Sequence, residues 1–329
     1  MTLPVVPGSS MSFSQINTEL GLTSTALISL NDTAVRTLAG VGASPATIAI
    51  TNLSGKANEF TLTISTNKPA SNLRTLAIAA GWNGTSKCTT IINTGVYVYD
   101  GFTIDGSWPG GCFVTNNGFI MGAGGSGYAG TGGPAISLGV NVTLINNSYI
   151  GGGGGGGNGY YDGTSTGGGG GGAGGGYGGN SGRGVAGGAG GAPGSTGANG
   201  VYAAESAGKT TFSGAGGGGG GRIMPGTGGS GGTGSGGSNS YGRGGGSGGG
   251  GAGVPQGSNT GGAGGSAGAA GQGVGGSILT GGGGGWGAAG GRGISGKTTV
   301  AGGPGGKAIA LNGYTATRSG SGTTYGTVS

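Results

Sequence analysis

GGGGGGGNG, residues 151–159, opens a stretch that runs to about Gly306 and constrains how the rest of the chain folds. Within it, glycine tracts alternate with short inserts: YYDGTST at 160–166, VYAAESAGKTTF at 201–212, RIMP at 222–225, SNSY at 238–241, VPQGSNT at 254–260, SILT at 277–280 and ISGKTTV at 294–300. Glycine has no side chain to pack, loses the most backbone freedom on folding and is disfavoured in helices and strands. Such tracts either stay disordered or order through main-chain contacts alone. An extended threefold helix of the polyproline II kind makes no internal hydrogen bonds, so its partners must be neighbouring helices.

Three residues per turn places i, i+3 and i+6 on one edge, and the non-glycine residues keep that spacing. Thr227, Ser230 and Thr233 do so, as do Ala263, Ser266, Ala269 and Gln272. So do Trp286, Ala289, Arg292 and Ser295, and the run Tyr177, Asn180, Arg183, Ala186, Ala189, Ala192. Neither an α-helix nor a strand has this period. The expectation is a bundle of packed polyglycine II helices, each of about ten residues and roughly 30 Å long, with these positions facing out. Collagen is excluded, because 10 prolines in 329 residues and runs of consecutive glycine do not fit its repeat. A disordered Arg-Gly-Gly RNA binder is disfavoured too, since only Arg243-Gly244-Gly245 has the box.

With 103 glycines, 32% hydrophobic and 6% charged residues, a conventional core fits only in the first half of the chain. The net charge of +6 is dispersed, so no nucleic-acid stripe is expected. No apolar run is long enough for membrane insertion, and MTLPVVPGSS lacks the regions of a secretory signal. The expected route to its site of action is assembly rather than export.

Residues 1–45 read as an attachment arm, with one short helix capped by Ser14, carrying Ile16 and Leu20 and closing at Gly21, and a second in Ile28–Val41 capped by Asn31 or Asp32. From residue 46 to 150 the pattern alternates as in half-buried strands: Ile48 and Ile50, then Phe60, Leu62 and Ile64. One helix, LRTLAIAA after Asn72, interrupts it, with Leu73, Leu76, Ala77 and Ala80 on one side. VTNNGFIMGAGG at 114–125 matches LINNSYIGGGGG at 144–155, thirty residues on. GGPAISL at 132–138 matches GGKAIAL at 305–311, beyond the glycine region. These repeats predict rungs of a small β-helical platform, left at Gly151 and rejoined near Ala308 by a return strand and tail in 307–329. Cys88 and Cys112 lie in strand-like segments; they could pair if those strands adjoin, and two reduced core thiols are the preferred reading. The expected fold is therefore mostly β and irregular, with an arm, a β-rich platform with one helix, and a glycine-helix bundle over 151–306.

The segments NLRTLAIAAGWNG at 72–84, NNGFIMGAGG at 116–125 and NNSYIGGGGGGG at 146–157, with the glycine tracts and their inserts, resemble bacteriophage tail-fibre tip adhesins. The resemblance covers roughly residues 60–320. It implies a sandwich of polyglycine II helices in a virion protein at a tail-fibre tip, touching a bacterial outer-membrane protein or lipopolysaccharide through the loops between helices. The leader departs from T-even adhesins and is similar to short arms on other phage tail proteins, so 1–45 is expected to join a trimeric fibre or another tail protein.

Catalysis is not expected. The chain has no histidine, and Asp100 and Asp105, its one close carboxylate pair, sit beside glycines as turn residues would. Gly296-Lys297-Thr298 has no helix-forming run after it to make a phosphate loop. No cofactor, metal or nucleic acid is expected. Aromatic side chains on loops give contact area for little entropy, so the candidate receptor contacts are Tyr160, Tyr161, Asp162, Tyr202, Phe212, Ile223, Met224, Tyr241 and Ile278. Trp286, inside a tract, reads as a packing residue. The alternative is a purely structural or ice-binding glycine-helix protein; protruding aromatics argue against the flat face that ice binding requires.

Overall fold

Alternating apolar residues in the first half build rungs of parallel strand, each stacked on the last. The computed structural model describes residues 3, 11–42, 46–53, 59–84, 86–161, 166–180, 186–200, 202–203, 214–215, 217–226, 255–256, 259–273, 278–295 and 297–329. Strands β1 (Glu59–Ile64), β3 (Lys87–Ile92), β5 (Cys112–Asn116), β8 (Val142–Asn146) and the segment Ala316–Ser319 form one parallel sheet in that order. A second parallel sheet holds β2 (Lys68–Asn72), β4 (Tyr97–Ile104), β6 (Phe119–Met121), β9 (Tyr149–Gly151) and Thr323–Tyr325. The later half of β4 continues into β7 (Ile136–Leu138) and Ile309–Ala310, which closes a third side.

Both sequence repeats become register. Val114 stands opposite Leu144 and Asn116 opposite Asn146. Ile136 stands opposite Ile309, across an insertion that contains the glycine region. Because side chains alternate along a strand, each rung adds one inward layer. Ile92, Val114 and Leu144 face Val98, Ile120 and Ile150 across a core closed by Phe102, Ile136 and Ile309, all at most 1% exposed. Two ladders run along the rungs. Asn116 Nδ2 donates to Asn146 Oδ1 at 2.8 Å, and Asn146 Nδ2 to the Thr323 carbonyl at 3.3 Å. Tyr97, Phe119, Tyr149 and Tyr325 stack with centroid spacings of 4.7, 5.9 and 6.3 Å. Cys88 and Cys112 are neighbours in register and are free, buried thiols. Burial pushes them up to about 11 and about 12 respectively.

Helix α3 (Leu73–Ala79) is capped by Asn72, whose side chain accepts from the Thr75 amide, and it buries Leu73 and Ala77. In the leader, the cap of α1 (Phe13–Glu19) lies two residues before the expected one. Ser12 caps it, because Gln15 reaches back to close a capping box that Ser14 could not form. Helix α2 (Thr33–Ala39) follows Asp32 and ends at left-handed Gly40. Leu3, Ile16, Val35, Leu38 and Leu53 give these residues an apolar cluster of their own.

Beyond β9 the chain runs from Gly151 to Asn158 without regular secondary structure, and its bonds repeat every third residue. Gly153 and Gly156 donate to Gly133 and Gly130, Gly154 and Gly157 to Ala173 and Gly170, and Gly155 and Asn158 to Ala288 and Gly291. The carbonyls of Gly151, Gly154 and Gly157 accept from Gly122, Gly125 and Tyr128. Those of Gly152, Gly155 and Asn158 accept from Gly287, Gly284 and Gly281, and those of Gly153 and Gly156 from Gly306 and Gly303. One segment thus binds six neighbours through main-chain groups. A methyl group has no room: a Cβ on Gly154 would land on the Gly284 carbonyl, and one on Gly156 on the Ser126 carbonyl.

Outward positions follow the same period. Tyr177, Asn180, Ala186, Ala189 and Ala192 are exposed, as are Ser266, Ala269 and Gln272, and Ala289 with Arg292, while Ala263 is half-buried. Trp286 is the correction in its series: it is 1% exposed, because the chain turns there against the rungs. Arg183, Thr227, Ser230 and Thr233 lie outside the described residues.

Candidate functional site

The two ends of the glycine body differ in chain chemistry. At the end nearer the rungs the turns are tight and use glycine. Gly194 and Gly268 have φ of +76° and +77°, where a side chain would be strained, and they approach Tyr97 and Tyr325 of the aromatic ladder. The apolar cluster of Met121, Ala173, Met224 and Trp286 fills the junction, with Tyr97, Tyr99, Phe119, Tyr149 and Tyr325 packed on it. Trp286 Nε1 donates to the Ile223 carbonyl at 2.8 Å.

An ion pair spans the same junction. Arg222 Nη2 lies 2.6 and 2.8 Å from the two carboxylate oxygens of Asp100, Nη1 donates to the Gly191 carbonyl at 2.6 Å, and the guanidinium sits 5.0 Å from the Tyr99 ring centroid. It fits because Gly175 has no Cβ to meet it. Asp100, expected in a turn, lies instead at a left-handed corner within β4, with φ of +62°, and has this partner besides. Asp105 accepts from Asn72 Nδ2 at 2.7 Å, which steadies the residue that caps α3.

At the far end, inserts replace tight turns. Tyr160–Tyr161 pairs with Thr166–Gly167 and with Ser295, and Thr166–Gly167 pairs with Gly214–Ala215, which pairs with Tyr202–Ala203. Gly293–Ser295 and Thr298–Val300 complete this six-stranded sheet. A second sheet places Asn259–Gly261 between Pro255–Gln256 and Ile278–Thr280. Asn158 ties the two regions to the rod ends: its carbonyl accepts from Gly281, its amide donates to Gly291, and its side chain donates to the Ala301 carbonyl at 3.0 Å.

The candidate contacts therefore separate. Tyr160, Tyr161, Tyr202 and Ile278 have their backbones at the far end. Ile223 and Met224 lie at the opposite end. Met224 is 5% exposed against Gly151 and Trp286, so it is a packing residue and not a contact. The RIMP insert differs from the others because it turns where the rods meet the rungs. Asp162, Phe212 and Tyr241 lie outside the described residues. The pairing of Arg222 with Asp100 had no signal in either local sequence.

A family model described as phage tail fibre adhesin Gp38 matches residues 59–230, just over half of the chain. Comparison with curated proteins gives no match. Among solved structures, the chain is similar to the crystal structure of the gp37-gp38 adhesin tip complex of the bacteriophage S16 long tail fiber, with 17% identity, a TM-score of 0.42, and 96% of this chain and 97% of that chain covered. With the family model spanning the rung strands from β1 to β9 and the first part of the glycine body, the chain belongs to the Gp38 family of phage tail fibre adhesins, proteins of the virion tail fibre.

Proposed function

We propose that this adhesin stands at a tail-fibre tip and binds, without catalysis, an outer-membrane protein or lipopolysaccharide of the bacterial host. Its glycine region, 151–306, is a bundle of polyglycine II helices; the hydrogen-bond partners that recur every third residue around Gly151–Asn158 support this. The observation that carries the binding reading is that inserts far apart in sequence, at 160–167, 202–215 and 293–300, share one sheet at the end remote from the rungs. Tyr160, Tyr161, Tyr202 and Ile278 are the proposed contacts within the described part of that end; Asp162, Phe212 and Tyr241 are proposed contacts outside the described residues.

Residues 1–45 are the proposed attachment arm to a trimeric fibre or another tail protein, 46–150 with 307–329 the platform. Phe13, Leu22 and Leu27 are exposed in the arm, apolar surface of the kind a partner covers.

Adsorption of purified protein to host cells tests the reading. Replacing Tyr160, Tyr161 and Tyr202 together by serine is expected to abolish adsorption while leaving the melting temperature unchanged. Unchanged adsorption would leave a structural role for the glycine body.

A further inference from the structure

The two cysteines of the chain sit at the starts of neighbouring parallel strands, where the register sets Cys88 of β3 opposite Cys112 of β5. Both point inward: the buried positions are Cys88, Thr90 and Ile92 along β3, and Cys112, Val114 and Asn116 along β5. Opposite residues of adjacent strands lie roughly 4.7–4.9 Å apart, with their side chains on one face. A disulfide spans Cα separations of about 4.4–6.8 Å. The strand starts are also drawn together locally. The Cys88 amide donates to the Gly111 carbonyl at 3.2 Å, and a Cβ on Gly110 would land on the Lys87 amide nitrogen. Among the described residues no third acidic, cysteine or histidine side chain joins them as a metal-holding group.

We propose that Cys88 and Cys112 are a disulfide site, closed by a small organic disulfide such as oxidised glutathione. One cysteine thiolate attacks the glutathione S–S bond, forming a mixed disulfide and releasing one glutathione thiolate. The other cysteine thiolate attacks the protein sulfur of that mixed disulfide, forming the Cys88–Cys112 bond and releasing the second glutathione thiolate. The two thiol protons pass to the two glutathiones, so two cysteines are oxidised and one glutathione disulfide is reduced. A virion surface is an oxidising setting in which such a bond persists. Because both sulfurs are buried, closure in the finished fold proceeds through local unfolding of the strand starts. The bond braces β4. The loop that it closes, 89–111, carries Tyr97 and Tyr99 of the junction and Asp100, which holds Arg222. Closing that loop restricts the unfolded chain and ties the strand that grips the glycine body to the rungs on either side.

The full chain made in bacteria with an oxidising cytoplasm, compared with the chain made in ordinary reducing cells, tests this. Alkylation in denaturant, intact mass and peptide mapping report the thiols. The oxidised product is expected to be about 2 Da lighter than after treatment with dithiothreitol, with one linked peptide pair holding residues 88 and 112. Its melting midpoint is expected to lie about 5 °C above that of the reduced form. Cys88→Ser is expected to show neither change. The folded chain from reducing cells, kept for about a week with oxidised glutathione at pH 8, is expected to gain the same bond through local unfolding. Two alkylatable thiols in the oxidised product, a bond found only between two chains, or a midpoint that the bond fails to raise would each overturn the assignment. A folded chain that keeps both thiols through the week would overturn closure in the finished fold.

Discussion

Asp100 and Arg222 are 122 positions apart and meet at 2.6 and 2.8 Å, so that a left-handed corner within β4 grips the glycine body. Their side chains are only 29% and 16% exposed. Removing one partner of such a pair strands the other charge. Arg222→Ala and Asp100→Ala are each expected to cost about 1–3 kcal/mol, below the cost for a fully buried pair because both groups retain some water. The double variant is expected to cost less than the sum of the two, and a denaturation cycle reads the coupling.

Glycine in the central segment is required for close approach of backbones. Gly154→Ala would drive a methyl group into the Gly284 carbonyl, and overpacking of this kind costs about 1–3 kcal/mol or more. The expected result is early loss of protease resistance in the glycine body. Ser266→Ala, at an exposed position on the same period, is expected to stay within about 0.5 kcal/mol of the parent.

Asn146 links three rungs, accepting from Asn116 and donating to the Thr323 carbonyl. Asn146→Ala removes one of the two acceptors of the buried Asn116 amide, leaving the Tyr149 carbonyl at 3.2 Å, and is expected to cost about 1–3 kcal/mol. Chemical denaturation measures it. Asn117 and Asn147, joined at 2.9 Å in an exposed setting, are expected to contribute less.

The thiols of Cys88 and Cys112 give a pH signature. Their folded values of about 11 and about 12 lie above the ordinary 9.0, chiefly through burial. A raised thiol value means that the unfolded state loses the proton first. The associated stability is therefore fully present below about pH 9 and declines as pH rises from there through the folded values. Thermal melts are expected to be unaffected by this term at pH 7–8 and lower at pH 10. Thiol-directed reagents at pH 8 are expected to react only after unfolding.

Much of the platform was legible because its signals are local and repeated. The Asn-Asn pairs at 116–117 and 146–147 and the AI pairs at 135–136 and 308–309 mark positions that align in register. The outward edges of the glycine body follow the period of three at Tyr177, Asn180, Ala186, Ala189 and Ala192 and at Ser266, Ala269 and Gln272. Trp286 departed from its series, because at a turn the direction of a side chain is set by what the turn rests on. Met224 was misplaced for the same reason: composition marks an insert and does not say at which end it turns. Asp100 and Arg222 carry complementary charge across more than a hundred positions, and no local pattern links such a pair.

The glycine segments hold one another through amide and carbonyl groups that every amino acid chain possesses, and the crowded positions ask only that side chains be absent. An insert at the far end can therefore lengthen, shorten or change its residues without disturbing the lattice beneath it. Sequence diversity among relatives should gather in those inserts, with tract lengths held nearly constant.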